Sequence, residues 1–377
     1  MVYKKIFFDG EEDILKKLTA LERIKRTLEF KDTDRVATGE IIQNSDIISC
    51  FAGRKVNGDW TLEELVKTYQ GLEIDVGMLI APAAKPKIEE RIGLKYQVTF
   101  WSEWVVERPF SDVEGLKKYI KWMIDEVKKS EPECMWSYAG KGGIVGQDFS
   151  DYRNYFINLK KMFGSTTIPC HIESPVGLDT MYNISGFELF SYMLVDDPGL
   201  VSEWFDVLNE HELNRVHLIA DKEISPLVVV YCDIASNNGP IFSPTFLRKD
   251  FFPRVKKLVD AWHEHGVKVI YHSEGNLKPV MDDLIKCGID GINPCEKRNM
   301  SLEYVRSHYP SLVIWGGIDS FDLIPKGMPD EVEQEVRNVI DICKNGGLIL
   351  GSDGQVHPSS KAENVIAMFD TAKKYKF

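Results

Sequence analysis

Val269-Ile270-Tyr271-His272-Ser273-Glu274-Gly275-Asn276 reads as the end of a β-strand and the opening of a helix. β-branched and aromatic residues favour an extended segment, and Gly275-Asn276 interrupts it before a helical pattern over 277–286. In an extended chain, residues two apart project to the same side. His272 and Glu274 therefore face one point just beyond the strand end. An imidazole nitrogen and a carboxylate oxygen at one point make either a hydrogen-bonded pair or two ligands of one cation such as zinc.

The same strand-then-helix rhythm extends in both directions. Strand patterns fall at 36–42, 74–80, 167–175, 227–232, 267–271, 289–293, 312–315 and 348–350, and apolar residues at helical spacing follow them, as at 200–220, 244–265, 331–344 and 362–374. Alternation over the whole chain implies a parallel sheet, and eight such units close into a (β/α)8 barrel. The fold class read here is α/β: a single TIM barrel domain over 1–377. An open doubly wound sheet is the second choice, but no strand is followed by G-x-G-x-x-G or a P-loop. An amphipathic helix over 13–30 precedes the barrel as an N-terminal extension. The Trp- and Val-rich segment 96–107 reads as an inserted β-hairpin, placed to cover a pocket mouth. A helix over 112–129 follows, with Asp112 as its N-cap.

With 44% hydrophobic and 28% charged residues, the chain has the means to bury a core and is not disordered. A net charge of −12 argues against nucleic acid or an anionic membrane surface as a partner. No apolar run approaches the roughly 18 residues of a membrane span, and the charged N-terminus is unlike a signal peptide, so a cytoplasmic protein is expected. Seven scattered cysteines without a CxxC pair point to reduced thiols rather than a disulfide framework. Cys232 and Cys295, each at a strand end, are read as pocket residues.

In a barrel of this kind the C-terminal strand ends form the functional basin. Here they carry Glu40, Asp75, Glu173, Asp233, His272, Glu274, Asn293, Glu296, Asp319, Asp353 and His357. So many carboxylates around one mouth repel one another unless a cation, a basic substrate group or a shared proton offsets the charge.

Asn238-Gly239-Pro240-Ile241-Phe242-Ser243-Pro244, His272-Ser273-Glu274-Gly275-Asn276, Asn293-Pro294, Gly316-Gly317-Ile318-Asp319 and Ala362-Glu363-Asn364-Val365-Ile366-Ala367-Met368-Phe369 resemble the uroporphyrinogen decarboxylase superfamily. Asp34-Arg35-Val36, taken as helical, fits its opening. The resemblance implies a (β/α)8 barrel. It implies one of two chemistries. The decarboxylases carry an N-terminal Arg-Gln-Ala-Gly-Arg motif that grips substrate carboxylates; here only the fragment Ala52-Gly53-Arg54 stands, after Cys50-Phe51. The other branch comprises zinc-dependent methyltransferases that serve corrinoid proteins and carry His-x-Cys with a second cysteine after the last strand. His272 matches the histidine, Glu274 stands at the first cysteine, and Asp353 lies in the region of the second. The resemblance thus implies Zn2+ held by His272, Glu274 and Asp353, with His357 as the substitute ligand should the last loop fold differently. It implies methyl transfer from a methoxylated or methylated small molecule to a cobamide (corrinoid, cobalamin-type) on a partner protein. Asp233, His272 and Glu296 are the expected catalytic groups, and Glu173, Asn293, Asp319 and His357 the expected substrate contacts. A decarboxylase of a porphyrinogen or another carboxylic acid, with His272 and Asp233 as acid and base, is the alternative; a non-catalytic corrinoid-binding barrel is the third reading. Self-association as a homodimer is left open.

Overall fold

Short runs of β-branched and aliphatic residues buried on both faces, such as Leu227–Tyr231, can only form a sheet covered on both sides, which is the environment of a parallel barrel. The computed structural model describes residues 17–136, 147–148, 152–173 and 177–377. Its central strands are β1 (Ala37–Glu40), β2 (Val76–Gly77), β3 (Ile168–Pro169 and His171–Glu173, divided only at Cys170), β4 (Leu227–Tyr231), β5 (Lys268–His272), β6 (Gly291–Asn293), β7 (Val313–Ile318) and β8 (Leu348–Ser352). All neighbours are parallel. β3 bonds β2 through its first half and β4 through its second, while β8 bonds β1, so the ring closes. The expected eight-stranded barrel is the observed fold.

Outside the ring lie the helices, among them Pro198–Ile219, Pro329–Ile342 and Ala362–Ala372. The segment 244–265 differs from the single helix expected there. It runs as Pro244–Phe246, a π-helical turn Leu247–Phe251, and Phe252–Glu264. Pro253 has no N–H to continue the ladder, and the Phe252 N–H donates to Leu247 O instead.

The N-terminal helix α1 (Ala20–Leu28) packs at the N-terminal end of the strands. Of the expected 13–30, residues before 17 lie outside the described residues. Asp34-Arg35-Val36 is a bend feeding β1, not a helix. Arg35 and Arg23 both reach Asp75, which precedes β2: Arg35 Nη1 lies 2.7 Å from Asp75 Oδ2, and Arg23 bonds Oδ1. Asp75 is therefore a buried anchor at the barrel floor and not a group of the basin.

After β2 comes a three-stranded antiparallel sheet, Lys87–Arg91, Leu94–Val98 and Glu103–Glu107, where a hairpin was expected. Its first strand, Lys-Ile-Glu-Glu-Arg, is too charged to read as a strand from pattern alone. Pairing holds it: Arg91 clasps Glu103 at 2.7 and 3.2 Å. Leu94, Tyr96 and Val98 turn one face of the middle strand inward.

At the other end of the barrel, Glu40 joins β1 to β8. Its carboxylate accepts the Ser352 N–H (2.9 Å), the Ser352 hydroxyl (2.9 Å) and the Ile41 N–H (2.9 Å). Burial nevertheless outweighs these bonds and pushes its pKa up to about 7. A carboxyl whose folded pKa lies above its unfolded value adds stability below the unfolded pKa and loses it as pH rises through the folded one. Glu40→Gln, which fixes the uncharged form, should therefore gain on the wild type by on the order of 3 kcal/mol between pH 4.5 and pH 8. Urea unfolding at both pH values measures it; an unchanged difference would show that Glu40 titrates normally.

Candidate functional site

Strand parity decides which strand-end side chains reach the basin. Tyr231 and Asp233 on β4 and its exit, and His272 and Glu274 on β5 and its exit, share one side, and all four line one cleft at the C-terminal mouth of the barrel. The cleft has a cavity volume of about 200 Å³ and opens to solvent. Trp101, Ser102 and Glu103 of the inserted sheet line it too, so the insertion does roof the mouth. A tight turn closed by the Thr99 N–H on Ser102 O holds Trp101 at that edge.

The sharp exit from β5 depends on Gly275. Its φ is +91°, and a Cβ there would meet the Ala235 backbone at 2.7 Å. Ala235–Ser236 and Gly239–Pro240 form the small hairpin against which this turn rests, with the Asn276 N–H on Ser236 O. Glu296 locks the turn by accepting the Gly275 N–H at 2.6 Å and the Asn299 amide at 2.8 Å. Glu296 thus shapes the loop and does not line the cleft.

His272 is only 7% exposed, and that little faces the cleft. Its Nδ1 lies 2.6 Å from Asn293 Oδ1, while Asn293 Nδ2 donates to Trp315 O at 3.2 Å. The Trp315 carbonyl fixes the amide orientation. Asn293 then offers only an acceptor to the ring, so Nδ1 carries the proton and Nε2 keeps a lone pair. Tyr231 packs on the ring with centroids 4.9 Å apart. Asn293, expected as a substrate contact, instead holds His272.

Asp233 accepts the Glu274 N–H on Oδ1 (2.9 Å) and the Tyr231 hydroxyl on Oδ2 (3.0 Å). The Glu274 side chain reaches into solvent in the mouth but has protein around most of it. That crowding, with Asp233, Glu296 and Asp353 nearby and only Arg298 opposing, pushes its pKa up to about 7. Arg298 is itself engaged, 4.6 Å over the Phe321 ring and 3.6 Å from Asp319.

Other expected site residues lie elsewhere. Glu173 turns outward from β3, where it accepts from Arg215 (3.1 Å) and the Tyr152 hydroxyl (2.9 Å), while Ile172 faces the cleft. Asp319 caps a turn, accepting the N–H groups of Phe321 and Asp322 at 2.8 and 2.6 Å. Asp353, buried and pushed up to about 6 mainly by burial, accepts both the N–H and the hydroxyl of Ser320 at 2.8 Å. His357 bonds Ser359 and lies near Phe321 rather than in the cleft. Cys232 and Cys295 are wholly buried and outside it. Trp101 and Tyr231 are lining residues the sequence reading did not name as site groups; parity along Tyr231-Cys232-Asp233 would have found the second.

Among the described residues no three His, Cys, Asp or Glu side chains gather as a group able to hold a metal ion. The set His272, Glu274 and Asp353 is divided because Asp353 is committed to Ser320. The residues present do not fit a zinc ion bound by three protein side chains.

Residues 159–375, more than half of the chain, match the profile of the uroporphyrinogen decarboxylase (URO-D) family. The chain belongs to that family. It also has curated relatives named methylcobamide:CoM methyltransferase MtbA. One, from Methanosarcina acetivorans, is 27% identical over 132 residues, 35% of this chain and 38% of the relative. Another, from Methanosarcina mazei, is 25% identical over the same shares. The match spans little more than a third of each relative's length. A solved methyltransferase from Methanosarcina mazei shares the fold with a TM-score of 0.67 over 95% of this chain and 99% of that one, at 16% identity.

Proposed function

We propose that this chain is an enzyme that moves a methyl group from a small methylated molecule to a cobamide carried by a separate corrinoid protein. The observation that carries the reading is the cleft itself: a bare imidazole nitrogen and two carboxylates, at the open mouth of a barrel whose relatives include proteins named methylcobamide:CoM methyltransferase. His272 Nε2 presents a lone pair to the cleft, where it accepts from an N–H or O–H of the donor molecule and so orients it. Asp233 keeps the Glu274 backbone in place, and the roof around Trp101 limits water. The donor methyl is presented in line to a cobalt centre arriving at the mouth, and catalysis is positioning.

Two neighbouring readings have less support. Transfer in the reverse sense, onto a thiolate acceptor, needs a site that favours an anion, whereas these carboxylates oppose one. Decarboxylation of a polyanionic porphyrinogen meets the same repulsion, since no lysine or arginine is among the described residues lining the cleft.

The test is to mix the protein with cob(I)alamin and a panel of methylamines and methoxylated aromatics, following the absorbance change to methylcobalamin. At least one donor should react, and His272→Ala should lower kcat/KM for it about a hundredfold. A protein inert toward the whole panel that instead releases carbon dioxide from a porphyrinogen would overturn the proposal.

A further inference from the structure

We infer that the donor this cleft takes is a methylated ammonium ion rather than a methyl ether. The inference rests on the methyl-transfer reading only for the chemical step; the binding part stands on the cleft alone. Four features converge. Trp101 and Tyr231 supply aromatic walls, and Ile41, Leu79 and Ile172 supply apolar surface that suits methyl groups. Asp233 and Glu274 supply negative charge with no cation among the described lining residues. Glu103 is already compensated by Arg91, and Arg298 by Asp319 and Phe321, so neither changes that balance. His272, more than nine-tenths buried, lines the same space, and with its Nδ1 held by Asn293 it has Nε2 left as an acceptor. Aromatic faces with carboxylates are the chemistry that holds alkylated ammonium ions, since the cation is attracted to both the ring faces and the charge. A neutral ether gains nothing from the carboxylates and must still desolvate them.

This donor class also accounts for the ligand set that does not converge. When the methyl leaves an ammonium nitrogen, the C–N bond breaks with its electron pair staying on nitrogen, and the leaving group is a neutral amine. The Co(I) cobamide supplies the pair for the new Co–C bond and becomes methyl-Co(III). No proton and no further reductant enters the balance. An ether oxygen would leave as an alkoxide and would need a Lewis or Brønsted acid; a quaternary or protonated amine does not. Glu274, at the position of the first thiolate of the family pattern, then serves cation binding, while Asp353, at the second, stays on Ser320 away from the cleft.

The experiment is a ligand-observed NMR titration of the full chain with trimethylammonium, tetramethylammonium, their neutral counterpart tert-butyl alcohol, and anisole. The two cations should bind at least tenfold more tightly than either neutral probe, and Glu274→Gln and Trp101→Ala, both at accessible positions, should each erase most of that preference while circular dichroism stays unchanged. Equal affinity for cation and neutral probe, tighter binding of anisole, or a preference that survives both substitutions would each overturn the inference. Cation-selective binding without methylation of cob(I)alamin by the same ions would sink the transfer reading and leave the ligand class standing.

Discussion

On the proposed methyl-transfer reading, Asn293→Ala should lower kcat/KM about a hundredfold while leaving the fold intact, although Asn293 does not line the cleft. In the wild type the amide is pinned by the Trp315 carbonyl and in turn pins His272 by its Nδ1. Without it the imidazole is free to take the other tautomer, which puts a hydrogen on Nε2 and presents a donor where the proposed reading calls for an acceptor. Nitrogen NMR of labelled histidine reads this without any turnover: one tautomer in the wild type, a mixture in the variant. Asn293→Asp separates positioning from mere packing. A carboxylate still accepts from Nδ1 but favours the doubly protonated imidazolium, so its activity should be low at neutral pH and recover as pH rises. A wild-type rate and an unaltered tautomer in Asn293→Ala would remove Asn293 from the machinery.

The largest effect on stability is expected at the opposite end of the barrel. Asp75→Ala should cost about 3 to 5 kcal/mol in urea unfolding, because it leaves Arg35 buried without a carboxylate and takes from Arg23 one of its two. Asp75 is fully buried and accepts from Arg35 at 2.7 and 2.9 Å, from the Thr38 N–H at 2.9 Å and from Arg23. Arg23 retains Asp34 at 2.8 Å, whereas Arg35 keeps only backbone carbonyls. Leaving a charge buried without its partner is among the few ways a single substitution removes several kcal/mol. A loss below about 1 kcal/mol would mean that water reaches the arginines and replaces the carboxylate.

These two residues illustrate what was legible in the sequence. The barrel was: strands such as Val-Ile-Tyr at 269–271 and Leu-Val-Val-Val at 227–230 are buried on both faces, and that requirement shows directly in composition. The pairing of His272 with Glu274 on one wall follows from the two-residue period. What fails is the step from strand end to basin. Glu173 sits at a strand end but has the wrong parity and faces Arg215; Asp75 sits at a strand start; Asp319 and Asp353 are spent on backbone turns. A carboxylate near a strand end has several local uses, and only its partners, remote in sequence, decide among them. Asn293 was picked out for the right neighbourhood and the wrong partner, since a hydrogen bond across 21 residues leaves no local trace. The roof shows the same limit. Tryptophan in 96–107 was visible, but that Trp101, in the turn between the second and third strands of the insertion, would line the same cleft as His272 depends on where that sheet sits against the barrel mouth.

The inserted sheet has a consequence of another kind. It leaves the ring after β2, carries Trp101 and Glu103, and returns without contributing a strand to the barrel. One wall of the cleft is therefore carried on an insertion, while the wall that holds the imidazole belongs to the ring itself. Substitutions in its turn at the mouth, as at Trp101, change that wall without touching the strands of the ring, whereas Leu94, Tyr96 and Val98 anchor the insertion to the core.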